Sequence, residues 1–390
     1  MNILFISAVY PYPLYSGGQV RIFNLLKKLG KRHSITLVSF IRDDKERQMK
    51  KFLPFVKENI QVMRGRGLQL KYVIQSVLKN QPMLISTYDN ALMRNTIRDV
   101  LRDGTFDLIH AEPFYVMPSI PPNALPLVIS EHNIEYDVYA KNALRSLPVV
   151  RPVLDTDASK VKTWEQNFWM KGKAITAVSG QDASVIREYV STIPVTVVPN
   201  GVDMDQFRFS KHVPDAKHPN FSFVGNFSWM PNRDAVNVLL TTIWPAILTR
   251  LPDATISIVG KNIPPNLRQI PSRNVIWKEH VSDIREIYQT SDALVAPLAI
   301  SGGSKFKILE ALASGCPVIT TKEGIYGLNL TSDEISICIN PSEFASACAS
   351  VILNPLEWSE KTKKARKIIE KEYSWNHIAE ILEHVWEEAV

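Results

Sequence analysis

Cysteine is scarce in this sequence, and this limits the kinds of fold it can specify. The 390 residues contain only Cys316, Cys338 and Cys348, which are too few and too scattered for a disulfide framework. No CxxC pair and no histidine–cysteine cluster has the spacing of metal ligands. The sequence therefore argues against a scaffold held together by disulfides or zinc, and it favours a reducing compartment.

Long apolar runs are missing as well. No stretch of 18 apolar residues occurs, so the sequence predicts no helix that crosses a membrane. The opening residues, MNILFISAVY, lack the basic n-region and the small-residue cleavage site of a signal peptide and are typical of a buried strand. We therefore expect a soluble or peripheral protein that lies in the cytoplasm.

The charge is moderately basic but unevenly distributed. The chain has 45 Lys and Arg against 39 Asp and Glu, a net charge of +6. One segment, residues 45–79, is dense in cations: Lys45, Arg47, Lys50, Lys51, Lys57, Arg64, Arg66, Lys71 and Lys79. This density predicts an anionic partner, with lipid headgroups at the inner face of a membrane or an acidic substrate as candidates. The alternative is a solvated helical surface, and we expect no nucleic-acid partner.

What the sequence does contain is a regular alternation of short apolar runs and helix-sized segments. At 44.1 kDa the chain is too long for one core, so two domains are expected. The alternation is typical of βαβ units around parallel sheets, which predicts an α/β protein with two doubly wound sheets in tandem. The runs fall at residues 3–9, 35–40, 107–111, 127–130, 174–179 and 195–198, and again at 221–225, 255–260, 275–277, 293–298 and 317–321.

A polar, proline-containing segment at residues 208–220 shows no periodicity and separates the two halves. We place the domain boundary there, which gives domains at 1–207 and 208–372. The remaining residues, 373–390, predict a helix whose apolar face, with Trp375 and Trp386 near its two ends, must pack on another part of the chain.

The most informative motif lies at residues 296–327. A buried strand leads into a glycine loop with Gly302, Gly303 and Ser304, and the next helix carries Lys305, Lys307 and Glu310 in its first turns. Backbone amides, a helix N-terminus and two ammonium groups suit a diphosphate, and a carboxylate behind them can accept both hydroxyl protons of a ribose. The alternative is a surface pair of Lys307 and Glu310 after an ordinary glycine turn.

Several other nucleotide-binding and catalytic motifs are absent. No GxGxxG follows the first strand, and no GxxxxGK[ST] occurs, which disfavours a dinucleotide dehydrogenase and a P-loop enzyme. There is no HExxH, and no strand-flanked acidic pair that would hold a divalent ion on a diphosphate. We therefore expect chemistry that needs neither a metal nor a cofactor.

The order and spacing of these motifs resemble the retaining GT-B glycosyltransferases of family 4, in particular the bacterial branch that acts on surface polysaccharides. The resemblance covers nearly the whole chain. It rests on residues 302–327, Phe223-Val224-Gly225, Pro252-Asp253-Ala254 before Ile258-Val259-Gly260, the Val198–Asp203 segment, Gly17-Gly18 with Arg21, the Glu131–Tyr136 segment, and Val178-Ser179. Two departures stand out. Gly302 occupies the position of the family's first glutamate, and the family's phosphate-binding Arg and Lys are replaced around Asn226 and Asn232.

The resemblance implies a GT-B fold, with two Rossmann-like domains facing a cleft and the last helix crossing back to the first domain. It implies that Gly17, Gly18, Gly302, Gly303, Ser304, Lys305, Lys307 and Glu310 bind a nucleoside diphosphate sugar. Lys307 would stabilise the leaving diphosphate. His110 and His132, at predicted strand ends, are the candidate catalytic residues of the first domain, although a structural role is the alternative for either one.

The function implied is transfer of a hexose-type sugar, with retention, from a nucleoside diphosphate sugar to a glycan or lipid-linked acceptor. Two other interpretations remain open. One is a nucleotide-sugar 2-epimerase of the same fold, and the other is a non-catalytic nucleotide-sugar-binding subunit, for which the missing first glutamate is the supporting feature.

Overall fold

The computed structural model describes residues 1–64, 70–279, 281–299 and 305–390. It divides into two compact units. The first unit comprises Met1–Pro199 and Ile378–Val390, and the second comprises Asn200–His377. Within the described ranges, no helix is both long enough and apolar enough to cross a lipid bilayer.

The first unit is built on a parallel sheet of seven strands in the order β3-β2-β1-β4-β5-β6-β7. Its inner strands are rich in Ile, Val and Leu because helices cover both faces. The strands are β1 (Asn2–Ser7), β2 (Ser34–Ile41), β3 (Glu58–Met63), β4 (Leu108–Glu112), β5 (Leu127–Glu131), β6 (Ala174–Ala177) and β7 (Val195–Val197).

The helices of the first unit connect these strands and lie on both sides of the sheet. They are α1 (Gly17–Leu29), α2 (Asp44–Gln48), α3 (Leu70–Leu78), α4 (Met83–Tyr88), α5 (Ala91–Asp103), α6 (Glu135–Leu144), α7 (Arg151–Trp169) and α8 (Gly180–Tyr189). Short 3-10 helices lie at Met49–Phe52 and Phe114–Ser119. Ser16 caps α1 and Ser179 caps α8, as polar residues before an apolar-periodic segment predict.

The second unit repeats the pattern with six parallel strands in the order β10-β9-β8-β11-β12-β13. The strands are β8 (Asn220–Asn226), β9 (Thr255–Lys261), β10 (Val275–Glu279), β11 (Ala293–Ala296), β12 (Val318–Thr320) and β13 (Ser336–Ile337). The helices are α9 (Met230–Val238), α10 (Trp244–Arg250), α11 (Pro265–Arg268), α12 (Ile284–Thr290), α13 (Phe306–Ser314), α14 (Pro341–Leu353), α15 (Pro355–Glu372) and α16 (Trp375–Ala389). A π-helical turn, Leu239–Ile243, joins α9 to α10.

Helix α16 belongs to both units. Trp375 packs against Gly201 and Phe306 in the second unit. From Ile378 onward the helix belongs to the first unit, where Trp386 is fully buried and Glu383 pairs with His33 at 2.6 Å. The apolar face expected at the end of the sequence is thus divided, with Trp375 packed in the second unit and Trp386 buried in the first.

The expected α/β class with two Rossmann-like sheets is confirmed. The sequence analysis did not identify β3, because this strand buries only part of its length and its sequence, ENIQVM, is half polar. The two units divide at Pro199, before the polar segment at 208–220. Arg21 binds the carbonyl oxygens of Val198 and Pro199 in the first unit, whereas the Val202 N–H donates to Tyr373 in the second.

Candidate functional site

Each sheet has a topological switch point, which lies between two neighbouring parallel strands. The connections that follow these two strands lead to opposite edges of the sheet. In the first unit it lies between β1 and β4, and in the second between β8 and β11. Open parallel sheets bind ligands outside the carboxyl ends of their strands at such points. The sequence-predicted site residues follow β1, β4 and β5 in the first unit and β11 in the second, so both groups lie at or next to a switch point.

In the first unit the carboxylate of Glu112, at the end of β4, accepts hydrogen bonds from three side chains. Its Oε1 accepts hydrogen bonds from Arg21 Nε at 2.8 Å and His132 Nε2 at 2.7 Å, and its Oε2 accepts from His110 Nε2 at 2.6 Å. Burial alone would raise the pKa of Glu112, but Arg21 and the two histidines hold this pKa well below its usual range. Glu112 is therefore a buried carboxylate.

His110 lies beneath this carboxylate and has no solvent-exposed surface. Trp386 Nε1 can only donate a hydrogen bond, and it lies 3.1 Å from His110 Nδ1, so Nδ1 is the acceptor. The other ring nitrogen, Nε2, therefore carries the hydrogen atom and donates a hydrogen bond to Glu112. The ring also stacks on Phe5, with centroids 4.5 Å apart. This environment suits a residue that orients Glu112. The predicted catalytic role of His110 stays a prediction.

His132 follows β5 and is the more accessible of the two histidines, with 18% of its side chain exposed. Because Nε2 donates to Glu112, Nδ1 is the nitrogen left to accept a proton or a hydrogen bond from a ligand. A Cβ atom on Gly18 would lie 3.5 Å from His132 Cε1 and 3.6 Å from Nδ1. Gly18, in the first turn of α1, thus leaves this edge of the ring uncovered, and the predicted role of Gly17 stays a prediction.

In the second unit, the predicted cationic residues lie at the start of α13. Lys305 immediately precedes the helix and is buried, with 7% of its surface exposed. Lys307 Nζ donates to Asn232 Oδ1 at 2.6 Å and lies 4.3 Å from the centroid of the Phe223 ring. Burial, followed by the neighbouring Lys305, lowers the pKa of Lys307 to about 7, although Glu310 opposes this shift.

Glu310 lies one turn along α13 from Lys307 and is half-buried. Its Oε2 accepts a hydrogen bond from the hydroxyl of Tyr288, on α12, at 2.9 Å. Burial raises the pKa of Glu310 to about 7, against the opposing effects of Tyr288 and Lys307. An ammonium group and a carboxyl group, both able to change charge near neutral pH, therefore lie side by side at this switch point.

Asn232 lies at one of the two places where the sequence departs from the pattern of the resembled family. Its Nδ2 donates a hydrogen bond to the carbonyl oxygen of Asn226 at 2.8 Å, and its Oδ1 accepts a hydrogen bond from Lys307 Nζ. A Cβ atom on Gly225 would lie only 2.8 Å from Asn232 Cγ, so a glycine is required for Asn232 to cross the end of β8. Asn232 consequently fixes Lys307 in place, and the nearby Arg233 is exposed.

Gly302, Gly303 and Ser304, the predicted phosphate loop, lie outside the described residues, and their role stays a prediction. In the part of the chain that the structure describes, no group of three or more His, Cys, Asp and Glu side chains could hold a metal ion.

Sequence reasoning gave little weight to Glu112 and overlooked Tyr288. A signal for Glu112 was present, because residues two apart on a strand share a face and His110 and Glu112 end the same strand. No sequence signal identifies Tyr288, whose contact with Glu310 depends on how α12 packs beside α13.

Two protein-family models match the chain. Residues 15–206 match the model described as Glycosyltransferase Family 4, and residues 218–354 match the model described as Glycosyl transferases group 1. Together they span most of both units.

Similar proteins were found both by sequence and by structure. An uncharacterized 44.6 kDa protein in a cps region of Klebsiella pneumoniae is 21% identical, over 96% of this chain and 100% of that protein. Sucrose-phosphate synthase from Thermosynechococcus elongatus superposes with a TM-score of 0.76 at 15% identity, over 100% of this chain and 99% of that one. HepE of Anabaena, in complex with UDP and glucose, superposes with a TM-score of 0.69 at 13% identity, over 100% of both chains.

Proposed function

Because the chain belongs to the GT-B glycosyltransferases, we propose that it transfers a hexose-type sugar, with retention, from a nucleoside diphosphate sugar to a glycan or lipid-linked acceptor. HepE, which shares the fold, has been crystallised with UDP and glucose. A uridine diphosphate hexose is therefore the first donor to test.

The placement of Lys307 and Glu310 in the first turns of α13, each held by a partner from another element, is the observation that carries this proposal. A diphosphate leaving group gains negative charge in the transition state, and a fixed ammonium group beside a helix N-terminus stabilises that charge without rearrangement. Lys305 supplies a second ammonium group at the same helix end. Glu310 then receives the ribose hydroxyls, and Gly302, Gly303 and Ser304 contribute backbone amides to the diphosphate.

On the first unit, we assign the acceptor side of the reaction to the segment around His132. The acceptor hydroxyl oxygen attacks the anomeric carbon on the face that the diphosphate leaves, and the hydroxyl proton passes to a leaving phosphate oxygen. This course needs no carboxylate nucleophile. His132 Nδ1, the ring nitrogen that Glu112 does not bind, accepts a hydrogen bond from a sugar hydroxyl, and Gly18 leaves room for the sugar.

The biological setting we propose is the synthesis of a bacterial surface polysaccharide at the cytoplasmic face of the membrane. The Klebsiella relative, described as lying in a cps region, supports this setting. In the basic segment, residues 45–79, the described lysines at 45, 57, 71 and 79 are all exposed, and Lys79 pairs with Asp89 at 2.6 Å. Arg66 and the side chains of Lys50 and Lys51 lie outside the described residues.

A donor assay with the purified chain separates this function from the two alternatives. We expect slow release of nucleoside diphosphate from the matching donor without acceptor, and faster release with a glycan acceptor. Interconversion of two nucleotide sugars would instead identify an epimerase, and binding without any turnover would identify a binding subunit. The anomeric configuration of the product, read by proton NMR, tests retention directly.

A further inference from the structure

The turn between α6 and α7 exposes an unusual number of large aliphatic side chains. We call residues 144–153 the apolar tip. Five of its side chains are exposed: Leu144 by 60%, Leu147 by 71%, Val149 by 82%, Val150 by 44% and Val153 by 69%. Within the ranges that the structure describes, no other stretch of ten residues exposes more than three large apolar side chains. Contiguous apolar surface of this kind marks an interaction site.

The charged residues nearest to the apolar tip along the sequence are cations. Between residues 141 and 151 the sequence contains Lys141, Arg145 and Arg151 and no carboxylate. All three side chains are exposed. Lys141 pairs with Asp137 at 2.6 Å and Arg151 pairs with Asp155 at 3.5 Å, and both carboxylates lie one turn further from the tip. The aliphatic side chains at the end of the helical hairpin are thus accompanied by three exposed cations, two of which would exchange an exposed carboxylate for a lipid phosphate.

The hairpin that carries the apolar tip is attached firmly to the strand end that carries His132. Helix α6 begins three residues after His132, and the buried carboxylate of Glu165, on α7, accepts hydrogen bonds from the backbone N–H groups of Glu135 and Tyr136 at 2.8 and 2.9 Å. The ten residues of α6 span about 15 Å. The tip is therefore a rigid extension of the proposed acceptor segment.

We propose that the apolar tip inserts into the boundary between headgroups and acyl chains of an anionic bilayer. Its Leu and Val side chains enter the acyl region, while Lys141, Arg145 and Arg151 contact lipid phosphates. A tip in the bilayer brings the segment around His132 close to acceptors carried on a lipid. This part of the inference rests on the proposed function, which assigns the acceptor to that segment.

A bilayer fits the tip better than a protein partner does. Protein interfaces concentrate aromatic side chains at their centres, and residues 144–153 contain none. Insertion into lipid requires only apolar area and neighbouring cations, both of which the tip provides. The basic segment at residues 45–79 also exposes Ile74, Val77 and Leu78, three aliphatic side chains against five at the tip, so it serves as a secondary contact.

The test is flotation of the full chain with vesicles of phosphatidylcholine, with and without phosphatidylglycerol. The tip variant is Leu147→Glu with Val149→Glu. The matched control is Val213→Glu with Leu356→Glu, which replaces two equally exposed apolar side chains in the second unit. We expect the wild type and the control to float with anionic vesicles, and the tip variant to lose about tenfold or more of its partitioning because two apolar side chains no longer insert.

Three results would overturn the inference. The first is flotation of the tip variant equal to that of the control, and the second is failure of the wild type to bind anionic vesicles. The third is a dimer in lipid-free solution that only the tip variant disrupts, which would make the tip an interface between two copies. Melting temperature and UDP binding are measured on the same samples. If the wild type does not bind UDP, the proposed function is contradicted, whereas the flotation result remains valid.

Discussion

At the scale of single residues, the buried carboxylate of Glu112 determines which nitrogen of His132 can reach a ligand. Glu112 stays ionised because Arg21 and the two histidines surround it. It therefore accepts a hydrogen bond from the N–H group at Nε2 of His132. An imidazole whose orientation is fixed by a carboxylate in this way can hold a substrate hydroxyl group in a defined position.

We expect His132→Ala to lower turnover by about 10²-fold or more, the usual effect of losing a positioned imidazole, with little change in nucleotide affinity. Steady-state kinetics and a UDP titration measure the two quantities. His384→Ala, at an exposed position of α16, is the matched control. Turnover of His132→Ala equal to that of this control would contradict the proposed role.

A second residue-scale feature is the buried acidic pair beneath the His132 loop. Glu131 Oε1 accepts from Trp169 Nε1 at 2.6 Å, whereas Glu131 Oε2 is buried and has no hydrogen-bond partner. Burial, and then the neighbouring Glu165, raises the pKa of Glu131 well above its usual range. Burial also raises the pKa of Glu165 to about 8. The folded chain therefore binds protons here that the unfolded chain releases.

Because these pKa values are higher in the folded than in the unfolded chain, stability is greatest below the unfolded value near 4.5 and is lost as pH rises toward about 8. Glu131→Gln removes one carboxyl group and keeps an oxygen for Trp169. We expect this variant to show a smaller loss of unfolding free energy between about pH 5 and 8 in urea titrations. If the unfolding free energy of Glu131→Gln has the same pH dependence as that of the exposed control Glu188→Gln, then Glu131 and Glu165 do not titrate as described.

At the scale of elements, helix α13 combines two groups that change charge near neutral pH. The Lys307 ammonium, with its pKa lowered to about 7, loses charge as pH rises, whereas the Glu310 carboxyl, with its pKa raised to about 7, loses charge as pH falls. A diphosphate needs the charged lysine, and ribose hydroxyls need the charged glutamate. Nucleotide affinity should therefore be greatest near pH 7 and decline on both sides.

We expect Lys307→Arg to remove the decline on the alkaline side only, because a guanidinium group stays protonated throughout this range. Calorimetric titration of UDP at a series of pH values provides the measurement. An unchanged alkaline decline in the arginine variant would assign that titration to another group.

The elements also show what the sequence could and could not predict. The spacing of Lys307 and Glu310 on α13 was predicted because a helical pattern fixes which residues share a face. Tyr288 and Asn232 were not identified as their partners, because these contacts depend on how α12 and the end of β8 pack against α13. Strand β3 was missed because an edge strand with polar residues lacks a continuous apolar run.

At the scale of the whole molecule, alternation of apolar runs and helices was enough to predict two parallel sheets, since both faces of such sheets are buried. The division between the units was harder to predict. Arg21 binds the carbonyl groups of Val198 and Pro199 within the first unit, and no local pattern reveals this contact between residues far apart in the sequence. The apolar tip was also overlooked, because only the structure shows that its side chains are exposed.

Metal independence is a further prediction of the proposed function. In that proposal, the ammonium groups of Lys305 and Lys307 take the role that a divalent ion would take on the diphosphate. We expect turnover to be unchanged after treatment with EDTA and dialysis. Loss of turnover that added Mg²⁺ or Mn²⁺ restores would contradict this expectation.

The most direct test of the nucleotide site is calorimetric titration of UDP into wild type, Glu310→Ala and the exposed control Glu286→Ala. The account predicts that Glu310→Ala weakens binding by about 1–3 kcal/mol, the range for hydrogen bonds to a charged group, while the control binds as the wild type does. Wild-type affinity in a folded Glu310→Ala variant would contradict the assignment of this helix to the donor.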